Sequence, residues 1–270
     1  MNKMTLSRVL PIVVFALFLI PIATSSLLDL EKKRENEIIQ QKIIAEQEAR
    51  EKIYLMGKFE PTQNEHFVVV PTEYGVNDYP MYLRKETLDA FLKMAETAKK
   101  DGIELKIASA TRNFDSQKII WENKWNGVLL ADGKNLFKNF PDELERFKKI
   151  LEYSSVPGTS RHHWGTDIDI NDSTPSYFKT EKGEKEYAWL VKNAPLFGFC
   201  QSYTLKGQDR PTGYYEEKWH WSYLPLAKIF TEEYKNLIKE EDITGFLGDK
   251  YVVGQDLINN YVLGINPDCI

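Results

Sequence analysis

Histidine and cysteine are scarce in this chain, at four and two residues out of 270. The two cysteines, Cys200 and Cys269, stand far apart and form no CxxC pair, which excludes a cysteine-built zinc motif. No apolar run reaches the ~20 residues that a membrane-spanning helix needs. The longest, VLPIVVFALFLIPIA from Val9 to Ala23, is shorter and is interrupted by Pro11 and Pro21. Positive charge is in deficit, with a net charge of −5 and no basic domain, so no nucleic-acid partner is expected. No internal repeat is present. What remains, 42% apolar and 28% charged residues, is ordinary for a folded globular chain.

The N-terminus has the layout of a targeting segment. Lys3 and Arg8 precede the apolar run, and Ala23 to Ser25 are small residues of the kind a signal peptidase accepts. Residues 1–26 are therefore read as a signal peptide, with an uncleaved N-terminal membrane anchor as the alternative. No cysteine follows the run, so lipid attachment is not expected there. Either reading exports the rest of the chain to the periplasm or cell envelope, in the second case tethered to the inner membrane. In an oxidising space Cys200 and Cys269 can pair and pin the C-terminus to the body, or they remain two thiols.

Residues 27–57 are rich in Glu, Lys, Gln and Ile and read as a charged helical linker, with Ile38, Ile39, Ile43 and Ile44 forming a rough stripe. A compact domain is expected over 58–240 and a C-terminal tail over 241–270. Within the domain, HFVVVP (66–71), IELKIASA (103–110), GTDIDI and KWHWSYL (218–224) read as strands. Segments 84–102, 139–155, 184–199 and 225–241 read as helices, as does the stretch after Thr111 that begins near Asp115 or Ser116. Strands and helices mix without regular βαβ alternation. This predicts an α+β fold, a small central antiparallel sheet flanked by helices.

One stretch concentrates chemistry. SRHHWGTDIDI, Ser160 to Ile170, holds two of the four histidines, a glycine and two aspartates. Alternation along a strand sends Ile168 and Ile170 to one face and Asp167 and Asp169 to the other. A histidine from the feeding loop, His162 or His163, and a strand carboxylate can then meet at one point. The second stretch is EEKWHW, Glu216 to Trp221. If Trp219 and Trp221 share a strand face, His220 points the other way, and Glu217 reaches its side only if the chain turns or bulges near Lys218. His, Asp and His would make three protein ligands with a fourth position left for water, and a nearby glutamate could act on that water as general base. The competing reading is a packed core histidine beside tryptophans and a solvated pair of aspartates.

Ser160-x-His162-x-x-Gly165-x-x-x-Asp169 followed by Glu217-x-Trp219-His220 resembles the signature of the VanY-type zinc D-alanyl-D-alanine carboxypeptidases. These belong to a superfamily that also holds lysostaphin-like peptidases and hedgehog domains. SATRNFDSQ resembles the family's arginine segment, with Arg112 and Gln117 in matching places. The likeness spans roughly residues 60–230, with about fifty residues between motifs. It implies that His162, Asp169 and His220 hold one zinc ion and that Glu217 is the catalytic base. It implies that Arg112 pairs with the substrate carboxylate or the developing oxyanion, and that Ser160 and Gln117 contact substrate. His162 rather than His163 has the seven-residue spacing to Asp169. Asp167 departs from the family, which often has alanine there. Grouped with the substrate-binding residues, it could take an incoming amine, hold a ligating histidine, or face solvent. Trp164 either lines the substrate groove or packs in the core.

The resemblance implies a zinc D,D-carboxypeptidase acting on peptidoglycan stem peptides; a monomer is expected. L,D-carboxypeptidase, D,D-dipeptidase or endopeptidase action are the alternatives at the same site. A non-catalytic zinc-containing wall-binding module is the alternative of another class.

Overall fold

In a computed structural model the backbone is described for residues 10–131 and 133–270, with side chains from residue 29 on. Of the targeting segment expected over 1–26, residues 1–9 lie outside the described residues, and the backbone of 10–26 is the start of a helix. Among those described, no helix is long and apolar enough to cross a membrane. The chain forms two units, residues 1–50 and 51–270. The described residues of the first, from Leu10 on, are helical, and Ile38, Ile39, Ile43 and Ile44 are exposed. The second starts with the end of α1 (Leu10–Leu55) and runs to the last residue. The boundary therefore falls at Arg50 rather than at 57, and residues 241–270, expected as a tail, are part of the body.

The elements of the second unit follow in order as β1 (Phe67–Val69), β2 (Tyr82–Arg84), α2 (Lys85–Lys100), β3 (Ile107–Ser109), α3 (Phe114–Trp125), α4 (Leu136–Asn139) and α5 (Glu143–Leu151). Then come β4 (Asp167–Ile170), α6 (Glu181–Asn193), β5 (Phe199–Gln201), β6 (His220–Tyr223) and α7 (Leu224–Leu237). β1 and β2 form an antiparallel pair, and the other four make an antiparallel sheet in the order β3-β4-β6-β5. The fold is α+β, as predicted.

Local chemistry accounts for the helices. In α2, Leu88, Phe91, Met94, Ala95 and Ala98 recur at helical spacing and are all buried, while Lys99 and Lys100 sit in the last turn near the negative end of the helix dipole. α3 begins one residue ahead of expectation. Asn113 is its N-cap, accepting from the Ser116 amide at 2.9 Å. Asp142 caps α5 in the same way, through the Glu145 amide.

β4 is central and short, and its two faces do different work. Ile168 and Ile170 enter an apolar core with Leu88, Phe91, Ile107, Phe199 and Trp221. Each such burial is worth about 1.5–3 kcal/mol. A one-residue slip in register would put Asp167 and Asp169 there instead, so the pairing is strongly set. Directly opposed residues of antiparallel strands share a face. Asp169 opposes His220, Asp167 opposes Ser222, and Ile168 opposes Trp221. A second core joins the end of α1 to α3, α5, α7 and the C-terminal residues through Leu55, Trp121, Phe147, Trp164, Tyr234, Phe246 and Val262. Trp164 is thus a core residue. Its indole donates to the Leu55 carbonyl, which ties α1 to the turn that carries the histidines.

Candidate active site

His162 lies in a single 3-10 turn, Arg161–Trp164, that ends at Gly165 with φ of +73°. A side chain there would be strained, and its Cβ would meet a ring carbon of Phe67 at 2.4 Å. Glycine is needed on both counts, and the tight stop aims the turn at β4. The Nδ1 of His162 is 2.8 Å from the Ala110 carbonyl oxygen, which can only accept, so Nδ1 carries the hydrogen. The lone pair is left on Nε2, which is buried without a hydrogen-bond partner. It lies 3.4 Å from Asp169 Oδ1, a buried oxygen that also lacks one.

His220 completes the group from β6. Its Nδ1 is 3.4 Å from the same Asp169 oxygen and 3.4 Å from Glu217 Oε2. Its other nitrogen, Nε2, is 2.9 Å from Asp167 Oδ1. An ionised carboxylate only accepts, so Nε2 carries a hydrogen toward Asp167 and Nδ1 is turned to the centre. The sequence demand on Glu217 is met by a turn at Lys218 and Trp219, closed by the His220 amide donating to the Glu217 carbonyl at 3.3 Å. The strand therefore starts at His220, not at Lys218. Trp219 lines the cavity, while Trp221 enters the core, so the two tryptophans do not share a face.

The ligand atoms of His162, Asp169 and His220 lie within 4.8 Å of one another. A tetrahedral zinc with bonds of about 2.0–2.1 Å sets neighbouring ligand atoms roughly 3.3 Å apart. The 3.4 Å separations from Asp169 to each histidine fit this. So does the donor set, two imidazoles and a carboxylate, each with an acceptor atom aimed inward. The residues present fit a zinc ion.

Of the alternatives open for Asp167, the geometry selects the hold on a ligating histidine: the residue is fully buried and is not among those lining the cavity. It holds His220. It is held in turn by Arg161 Nε at 3.2 Å, by the Thr166 hydroxyl at 2.6 Å and by the Ser222 hydroxyl. Arg161 is buried as well and donates to Thr231 at 3.0 Å and Ser222 at 3.1 Å. Arg161 and Ser222 were missed in the sequence. Alternation along β6 puts Ser222 on the His220 face and was the available signal.

Burial opposes ionisation of Asp169 and Asp167, but the groups that face them outweigh it. His162 and His220 hold Asp169 far below the carboxylate range, and Arg161 and His220 do the same for Asp167. Burial also opposes the charging of His220, yet the two aspartates push it up to about 9. This corner attracts positive charge strongly. Glu217 is pushed up to about 7 by burial, against the pull of His220 and Arg112.

The group opens onto a cavity of about 590 Å³. Arg112, Gln117 and Ser160 line it, with Glu217 and the metal-capable three. Arg112 Nε, Gln117 Oε1 and Ser160 Oγ are buried there without a hydrogen-bond partner, poised for a ligand. The Arg112 backbone is lashed to both histidines: its amide donates to the His162 carbonyl, and its carbonyl accepts from His163 Nδ1 at 2.5 Å. His163 is thus a packing residue, 0% exposed, whose Nε2 accepts from the Gly158 amide. Lys124, Tyr153 and Tyr203 also line the cavity and were not anticipated. The Tyr203 ring lies 4.8 Å from that of His220.

A family model described as VanY, D-alanyl-D-alanine carboxypeptidase, matches residues 80–226, more than half of the chain. The chain belongs to the VanY family. Among curated relatives, the carboxypeptidase-named YodJ of Bacillus subtilis is 28% identical over 198 residues, 69% of this chain and 65% of that protein. A D-alanyl-D-alanine carboxypeptidase of Enterococcus faecium is 26% identical over 191 residues, 67% of this chain and 53% of that one. The chain thus spans less than two thirds of either relative. Solved structures similar to it include the LdcB LD-carboxypeptidase, 26% identical with a TM-score of 0.48 over 68% of this chain and 81% of that one. The vancomycin resistance D,D-pentapeptidase VanY in complex with Zn(II) is 23% identical, with a TM-score of 0.44 over 65% and 94%.

Proposed function

We propose that this VanY-family peptidase is a zinc-dependent D-alanyl-D-alanine carboxypeptidase acting on peptidoglycan stem peptides. The observation that carries the reading is the convergence in one cavity of three inward ligand atoms, the Glu217 carboxylate and the Arg112 guanidinium. His162, Asp169 and His220 would hold zinc, which supplies a Lewis acid to a scissile carbonyl and lowers the pKa of water.

The rest is done by the chain. Glu217, held near neutrality by burial, takes a proton from the attacking water and returns it to the leaving amine. Arg112 offers its fork of donors to the terminal carboxylate or to the oxyanion that forms. Ser160 and Gln117 orient the C-terminal residue through the oxygens they leave unpartnered. Three ligands and an adjacent carboxylate argue against a purely structural zinc module, which closes with four ligands and needs no base. Residues 58–240 carry this activity and the body beyond them supports it. An exported location fits the substrate, and the Cys200–Cys269 disulfide fits an oxidising compartment.

Glu217→Gln tests the mechanism. Hydrolysis should fall by at least ~100-fold while bound zinc stays near one per chain by metal analysis. Hydrolysis that survives with zinc bound rejects Glu217 as the base. Mass spectrometry on defined muropeptides reads the bond: loss of one alanine from a pentapeptide supports D,D cleavage, and loss from a tetrapeptide moves the assignment to L,D.

A further inference from the structure

The cavity has a second positively charged station that the proposed mechanism does not use. Gln117, Ile120 and Lys124 all line it, at the i, i+3 and i+7 spacing that places them on one face of α3. That face forms a wall about 10 Å long, at the ~1.5 Å rise per residue of a helix. Lys124 stands at its far end, in the last turn of α3. Its ammonium donates to the Ser154 hydroxyl and, at 3.5 Å, to the Tyr153 carbonyl. Both acceptors are neutral. Arg112 enters the same cavity from just before α3 and adds a second cation, whose Nε has no partner. Burial and the Arg112 charge together hold Lys124 down to about 8, and Glu217 only partly offsets them.

Two cations in one partly buried cavity repel each other and pay for desolvation, so an anionic ligand completes them. The substrate's C-terminal carboxylate accounts for one. Arg112 precedes the first residue of α3 and Lys124 lies ten residues after it, a rise of roughly 15 Å. The two side chains therefore enter the cavity from separate points of its wall, near enough for each charge to act on the other.

We propose that Lys124 forms a subsite for a second carboxylate of the substrate, carried by a residue upstream of the C-terminal one. The proposal rests on the peptidase reading above and adds a specificity to it: acidic over amidated stems.

The test uses the full zinc-loaded chain and a set of peptides ending in D-alanyl-D-alanine. Each carries a single glutamate, or the isosteric glutamine, at one upstream position. At one position wild type should favour glutamate by about tenfold in kcat/KM, chiefly through KM, as a charge-assisted hydrogen bond allows. Lys124→Met should bring the two peptides level, and Lys124→Arg should keep the preference. Absence of a preference at every position overturns the proposal. So does an equal loss on both peptides in Lys124→Met, which would put the lysine on the terminal carboxylate or in a structural role. If wild type cleaves none of the peptides, the peptidase reading fails. The subsite is then decided by calorimetry on the same pairs, where tighter binding of the glutamate peptide must vanish in Lys124→Met.

Discussion

Asp167 is the residue whose role the sequence left most open. Alternation along β4 correctly put it on the face of Asp169, opposite the isoleucines. What that face meets could not be read locally, because it depends on a histidine 53 residues away. The neighbouring strand brings His220 Nε2 to Asp167, and Arg161 closes the charge balance behind it. A carboxylate that holds the far nitrogen of a ligating histidine fixes both its tautomer and its ring orientation. Asp167→Asn keeps the shape but weakens that hold. Zinc affinity measured by chelator competition should fall by about 10–100-fold. An unchanged affinity would reduce Asp167 to a packing partner of Arg161.

At the scale of elements, the site depends on two short turns. The turn at Lys218–Trp219 swings Glu217 to the His220 side of β6. The sequence raised this as a geometric requirement, and a single backbone hydrogen bond meets it. The 3-10 turn at Arg161–Trp164 depends on His163, which links the Arg112 carbonyl to the Gly158 amide. Burial pushes His163 down to about 3, whereas an unfolded histidine titrates near ~6.5. Between those values the unfolded chain binds a proton that the folded chain refuses, so folding weakens as pH falls through this window. Urea midpoints should drop between about pH 7 and pH 5, before most carboxylates titrate, and His163→Gln should flatten that slope. An equal slope in the variant would place the titration elsewhere.

The core of the second unit is completed by residues 243–269. Ile243, Phe246, Val252, Leu257, Val262 and Ile265 complete the core around Trp121 and Phe147, and Cys269 joins Cys200 at the end of this run. The cysteines are 69 residues apart, and closing such a loop removes roughly 4 kcal/mol of unfolded-state entropy. Replacing both cysteines by serine should lower stability in chemical denaturation by about 2–4 kcal/mol. Because the disulfide attaches to β5, next to β6, weaker zinc retention is expected as well. A stability unchanged in the double variant would show that the apolar C-terminal packing suffices alone.

The sequence by itself determined what depends on local periodicity and spacing. That covers the strand faces of β4, the face and stop of α2, the motifs of the metal-capable group, and the three motifs that mark the family. The tertiary structure alone decided which groups meet across strands and helices. Asp167 on His220, Arg161 behind Asp167, Lys124 in the cavity wall and the C-terminal residues in the core are all contacts between distant positions. Pairing register, helix packing and burial set them, and none of these leaves a periodic trace in the chain.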